Sequence, residues 1–102
     1  GEEGFRRLSA LNTRKAHYLA DKLAEIPGVA LAHDGAFFNE FVLRLPVPAA
    51  RTLAAMQSDG IFAGIDYSGQ FGLGHALLVA VTEVKSRADL DYYAQSLRKA
   101  VA

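Results

Sequence analysis

Residues 76–81 read "ALLVAV", six apolar side chains without a break. A strand sends alternate side chains to opposite faces, so a strand that is apolar at both parities asks for cover on both sides. Helices of the same chain can supply one cover, and a partner surface is a candidate for the other. The run is far short of the roughly 20 residues that cross a bilayer, and no other run approaches that length. The rest of the chain must therefore provide flanking strands and a layer of amphipathic helices.

Three segments have the helical rhythm. Residues 4–26 place Phe5, Leu8, Leu11, Leu19, Leu23 and Ile26 along one stripe, with Ala16 and Ala20 between them. This is the i, i+3, i+4, i+7 pattern of an amphipathic helix, and most of its charges fall off the stripe. Pro27-Gly28 is its stop signal. In "PVPAARTLAAMQSDG" (46–60), Pro48 fits a first helical turn. Leu53, Ala54 and Met56 supply the apolar surface, and Gly60 closes the segment after Asp59. The last segment opens with Ser86 and Asp89, a capping box with Asp in place of Glu. It runs to about Val101 with Leu90, Tyr93, Ala94, Leu97 and Val101 on one face.

Between the helices lie strand candidates at 29–32, 36–45, 61–65 (the weakest) and 76–81, with a turn at 33–35. The stretch "DYSGQFGLGH" (66–75) has three glycines and reads as a loop. The order is α-β-β-α-β-β-α. An α/β two-layer sandwich, with helices packed on one face of a mostly antiparallel sheet, is the economical packing.

At 102 residues the chain suits a single domain, 1–102, that buries roughly 60–70% of its unfolded surface. With 51% hydrophobic residues it can build a core without staples, and it has no cysteine. That excludes a disulfide framework, a thiolate metal site and a cysteine nucleophile, and it fits a reducing compartment such as the cytoplasm. Eleven basic residues balance eleven acidic ones, so no electrostatic footprint for nucleic acid exists. The start, "GEEGFRR", has neither an initiator Met nor the apolar core of a signal peptide, and reads as the edge of a piece of a longer chain.

Candidates for chemistry are few. His17, His33 and His75 lie at no metal-ligand spacing. No "GxSxG" elbow is present. The glycines of 66–75 lead into a strand rather than a helix N-terminus, which makes a poor phosphate cradle. Lys15, Lys22, Lys85 and Lys99 sit among charged neighbours, whereas an imine-forming lysine must be desolvated or tuned by charge.

The informative exception is "GAFFNEFVLRLP" (35–46). By alternation Phe37, Asn39, Phe41, Leu43 and Leu45 share one face, and Phe38, Glu40, Val42 and Arg44 share the other. Asn39 thus interrupts an apolar face, and a buried amide without a partner costs about 1–3 kcal/mol. It asks for a hydrogen-bond partner, whereas Glu40 needs only water or an incoming surface. Glu40 and Arg44 lie roughly 13 Å apart along the strand, too far to pair. Asn39 and Glu40 are the candidate residues for an interface or an active-site edge.

The segments "GEEGFRRLSALNTRKAHYLADKLAEIPGV", "FFNEFVLRLP" and "ALLVAVTEVKSRADLDYYAQSLRKAV" together resemble the C-terminal region of subunit 1 of bacterial two-subunit glycine dehydrogenase (decarboxylating). This is the P-protein of the glycine cleavage system. "KAHYLA", "FFNEF" and "VTE" are the most specific blocks, and the poorest stretch is 66–75. The resemblance implies the small C-terminal domain of a fold-type I pyridoxal-phosphate (PLP) enzyme. It implies decarboxylation of glycine, with the aminomethyl group passed to the lipoyl arm of the H-protein. It also implies that PLP is bound through glycine dehydrogenase subunit 2, and that this domain alone is inactive and serves packing and assembly. Many aminotransferases of the fold type place a carboxylate-binding arginine on the strand before the last helix. Here that strand, "HALLVAVTE", has none, although Arg44 and Arg51 remain available to a neighbouring site.

Two other readings compete. One is a free-standing ferredoxin-like module that binds a small molecule or dimerises. The other is the small domain of a different PLP enzyme, which the missing arginine disfavours.

Overall fold

A computed structural model describes residues 14–32, 39–82 and 85–102. Phe5, Leu8, Leu11, the turn at 33–35 with His33, and residues 36–38 of the expected long strand lie outside them. The first helix, α1, is helical over residues 14–24, and Ala16, Leu19, Ala20 and Leu23 of its stripe are buried. It closes through short bonds, from Glu25 N–H to the Lys22 carbonyl (3.3 Å) and from Ile26 N–H to the Leu23 carbonyl (3.0 Å).

Strands β1 (Ala30–Leu31) and β2 (Glu40–Arg44) pair antiparallel, with Leu31 opposite Leu43. Helix α2 (Ala49–Ser58) then connects β2 to the strand at the opposite edge of the sheet. Pro48 is its N-cap, where a missing N–H costs nothing. Its end is a Schellman motif at Gly60 (φ 79°). Gly60 N–H donates to the Gln57 carbonyl (2.9 Å) and Ile61 N–H to the Met56 carbonyl (3.0 Å). Its inner face is Ala49, Thr52 and Met56 rather than the expected Leu53 and Ala54. The helix starts one residue after Pro48, and that phase turns Ala54 to solvent and leaves Leu53 half-buried.

Strand β3 (Ile65–Asp66) and strand β4 (Ala76–Ala80) complete a sheet of order β1-β2-β4-β3, antiparallel throughout. The expected strand at 61–65 is displaced toward its end. The Ala63 carbonyl is taken by the Tyr93 hydroxyl (2.7 Å), so the ladder begins only at Ile65. The 66–75 stretch contributes Asp66 to β3 and a 3-10 turn at Gln70–Gly72.

The last helix, α3, spans Arg87–Val101 behind a complete capping box. Asp89 N–H donates to Ser86 Oγ (3.1 Å), and Ser86 N–H donates to Asp89 Oδ2 (2.9 Å). Leu90, Ala94, Leu97 and Val101 are buried as the periodicity requires.

The core lies between the helices and one face of the sheet. Phe41, Leu43 and Leu45 of the β2 segment meet Leu77, Val79 and Val81 of the β4 segment. These join Leu19, Leu23, Met56, Leu90 and Leu97 in one buried cluster. Phe41 faces Val79 and Leu43 faces Leu77 across the ladder. Each such side chain contributes about 1.5–3 kcal/mol by leaving water.

Candidate functional site

Among the described residues, helices cover one side of the sheet only. On the other side β2 presents Glu40, Val42 and Arg44, and β4 presents Ala76, Leu78 and Ala80, in the register Glu40–Ala80, Val42–Leu78 and Arg44–Ala76. Ala76 is buried, Val42 and Leu78 are half-buried, and Glu40, Arg44 and Ala80 are exposed. The second apolar parity of "ALLVAV" therefore lines an open face. Ile65, opposite Leu78 on β3, extends it at 58% exposure. A groove of about 130 Å³ runs beside it, lined by Glu40, Phe62, Ala63, Gly64, Ile65, Leu78 and Ala80.

Glu40 and Asn39 part as alternation requires. Glu40 stands in solvent on the open face and lines the groove. Asn39 sits at a bend just before β2 and is half-buried, not enclosed by the core. Its backbone carbonyl accepts from Val81 N–H (2.6 Å), which extends the β2–β4 pairing by one rung. Its side-chain amide has no hydrogen bond among the described residues. The expectation of a buried, bonded amide is corrected accordingly. At the end of the ladder the side chain is only half-covered, so it has no need of a partner within the core.

Sequence reasoning missed the segment between α2 and β3. Asp59, the C-cap of α2, accepts from Ser96 Oγ (2.7 Å) and from Lys99 Nζ (3.2 Å) through its carboxylate. Its backbone carbonyl accepts from the Tyr92 hydroxyl (2.9 Å). The Ser96 hydroxyl first, and then Lys99, hold the Asp59 carboxyl below the usual carboxylate range. Burial pushes the Tyr93 hydroxyl well above the usual phenol range. It therefore stays a neutral donor to Ala63. These partners lie some thirty or more positions apart in sequence, and no local pattern signals them. Gly64 comes next, with its backbone so close to β4 that a Cβ would lie 2.1 Å from the Leu78 carbonyl oxygen.

On the helical side Asp91 joins α3 to α1. It accepts from the Tyr18 hydroxyl (2.6 Å) and pairs with Lys22 (3.2 Å). The Arg87 guanidinium lies 4.5 Å from the Tyr18 ring centroid, a cation–π contact.

Lys22 and Lys99 are ion-paired and solvated, Lys85 is exposed and Lys15 is half-buried. Asp91 raises the pKa of Lys22, the opposite of what an imine-forming lysine requires. The first turn of α3 is closed by the Asp89 carboxylate and the Ser86 side chain. Among the described residues no group of His, Asp and Glu is placed to hold a metal. No described helix is long and apolar enough to cross a membrane.

No protein-family model matches the chain. Solved structures do. A glycine decarboxylase, the P-protein of the glycine cleavage system in inhibitor-bound form, superposes with a TM-score of 0.92 at 30% identity. The match covers 98% of this chain and 23% of that one. A C-DES variant with glycine covalently linked to its PLP cofactor gives 0.78 at 8% identity, covering 91% of this chain and 24% of that one. A decarboxylase from Sulfurospirillum multivorans gives 0.71 at 17% identity, covering 87% of this chain and 25% of that one. The last two share the fold alone. The chain thus has the α/β fold that part of each of these enzymes has, one of them with PLP bound.

The sequence narrows the match. The chain is 48% identical over 97 residues to the probable glycine dehydrogenase (decarboxylating) subunit 1 of Chlorobium limicola. It is also 48% identical, over 103 residues, to that of Rhodospirillum centenum. These matches cover 95% and 97% of this chain, and 21% and 23% of the relatives. Over nearly its whole length, then, the chain is a homologue of glycine dehydrogenase (decarboxylating) subunit 1, and it spans about a fifth of that subunit.

Proposed function

We propose that this chain is the C-terminal small domain of a glycine dehydrogenase (decarboxylating) subunit 1. In this reading the assembled enzyme decarboxylates glycine with PLP held through subunit 2, and passes the aminomethyl group to the lipoyl arm of the H-protein. The domain by itself has no activity. It packs its open sheet face against the rest of the enzyme and so helps to assemble the complex. The observation that carries the reading is the one-sided helical cover of a strand that is apolar on both parities. A domain that matches only a fifth of its relatives has such a face to place against the remainder. The solvated lysines and the self-capped α3 support a structural part rather than a cofactor-binding one.

Asn39 and Glu40 belong to the rim of that surface in this proposal. Glu40 lines the open groove, and the Asn39 amide is left for an incoming donor or acceptor.

The test is co-purification of the full-length parent with subunit 2, followed by glycine–bicarbonate exchange. The expected result is a stable complex with exchange activity, and none from the 102-residue chain alone. A parent that neither binds subunit 2 nor supports exchange refutes the proposal. Asn39→Ala and Glu40→Ala in the complex should weaken assembly or exchange by severalfold. Unchanged values in both assays reduce the pair to ordinary strand residues.

A further inference from the structure

We propose that Phe62 is the anchor by which this domain seats on the remainder of its own subunit. Phe62 is 87% exposed, against 58% for Ile65 and 48% for Tyr92. An aromatic ring held so fully in water needs a reason, because burying it is favourable.

Looseness of the segment is not the reason. The residues on both sides of Phe62 are tied down. Ile61 N–H closes the α2 Schellman motif on the Met56 carbonyl (3.0 Å). Asp59 is held by Tyr92, Ser96 and Lys99 of α3. Ala63 is buried, and its carbonyl accepts from Tyr93 (2.7 Å). Gly64 is fitted against the Leu78 carbonyl. The backbone is fixed at every neighbour, and only the ring projects. A rigid, preorganised aromatic is the type of residue that concentrates binding energy at protein contacts.

The position of the ring defines what it meets. Phe62 borders the groove of the open sheet face together with Glu40, Ile65 and Leu78. The ring and the open face therefore form one continuous surface. Among the described residues its exposed charges are Glu40 and Arg44 on the sheet face and Lys85 and Asp89 on the other side of the ring, two acids and two bases. Such a surface has no net sign and little means of steering a charged visitor from solution. It fits a neighbour already tethered beside it, where effective concentrations reach the millimolar range. The relatives supply that neighbour. The matched region is 21–23% of each relative, and in the solved P-protein this fold makes up 23% of one chain. The occupant is accordingly the remaining four-fifths of the same polypeptide, bearing an apolar pocket for the ring. The inference rests on the proposal that the chain is part of such a subunit.

Hydroxyl-radical footprinting of the full-length subunit tests it, first with the side chains unaltered. Oxidation of Phe62 and Ile65 is read by peptide mass spectrometry in the folded subunit, in the urea-unfolded subunit, and after addition of subunit 2. The expected result is Phe62 oxidation in the lone folded subunit at least tenfold below its unfolded level. Phe62→Leu in the same assay should keep Ile65 protected, and Phe62→Asp should expose it. Phe62 near its unfolded level with Ile65 protected overturns the anchor and leaves the packing of the sheet face standing. Protection of Phe62 only when subunit 2 is present overturns the choice of occupant. Both residues exposed under every condition overturns the anchor and the packing proposal together.

Discussion

Gly64→Ala is the sharpest test of how the fold positions its open face. Gly64 has φ 149°, a backbone conformation that side chains rarely adopt. Holding alanine there costs about 1–3 kcal/mol. A Cβ would also lie 2.1 Å from the Leu78 carbonyl oxygen and 3.1 Å from its carbon. These are backbone atoms in the central ladder and have no rotamer with which to yield. The two-residue β3 must peel from β4, losing hydrogen bonds worth about 0.5–1.5 kcal/mol each. With two such bonds lost the total is about 2–6 kcal/mol, against a domain stability of about 5–15 kcal/mol. Gly60→Ala is the control. Its φ is 79°, but nothing lies within 4 Å of the added Cβ, so only the conformational part of about 1 kcal/mol applies. Urea unfolding of the three proteins, followed by far-UV circular dichroism, gives both losses. Equal losses for the two alanines, within about 0.5 kcal/mol, refute the claim that the approach to Leu78 fixes this segment.

Other perturbations follow from the same contacts. Ser86→Ala removes half of the α3 capping box and should cost about 0.5–2 kcal/mol in the same unfolding assay. Tyr93→Phe leaves the buried segment's Ala63 carbonyl without its donor and should cost about 1–3 kcal/mol. It should also speed amide exchange at residues 61–66 more than elsewhere. In acid, Asp59, Asp89 and Asp91 lose stabilising partners. Ser96 and Lys99 lower the first, the Ser86 backbone and side chain the second, and the Tyr18 hydroxyl and Lys22 the third. Folded values below the unfolded value mean that this stability is complete well above pH 4. It is lost as pH falls through the depressed values, and Asp91→Asn should flatten that acid limb of the urea midpoint. Lys22 has the opposite sign. Its pKa is raised by Asp91, so its contribution holds below about pH 10 and fades above that.

The parts of the fold that could be read from sequence are those governed by neighbours in sequence. Periodicity placed α1 and α3, and the Ser86–Asp89 spacing alone specified the cap that the structure contains. Alternation set Leu43 on the apolar face of β2 and Glu40 on the other, and the structure buries the first and exposes the second. The limits of β3 were not legible. "IFAGI" has strand-like composition, but the Ala63 carbonyl is claimed by a tyrosine thirty positions later. Asn39 lies on the face that alternation gives it but at the end of the ladder, where burial is only partial, and the sequence does not show where the ladder ends. The exposure of Phe62 was equally hidden, since it follows from tertiary bonds to Asp59 and Ala63 on either side.

The two surfaces of β4 carry the argument from fold to function. Leu77, Val79 and Val81 are buried by this chain's own helices, whereas Leu78 is only half-covered and Ala80 is exposed. A strand with one solvated face has no physical need for leucine there, because polar residues serve an exposed parity equally well. The apolar choice at both parities makes sense when a second layer exists. The chain contributes no second layer among its described elements, and the relatives that share its sequence are about five times as long. If, as proposed, that added length completes the sheet, the tied-down segment at 59–64 has a matching role, since it carries an aromatic ring to the edge of the uncovered face.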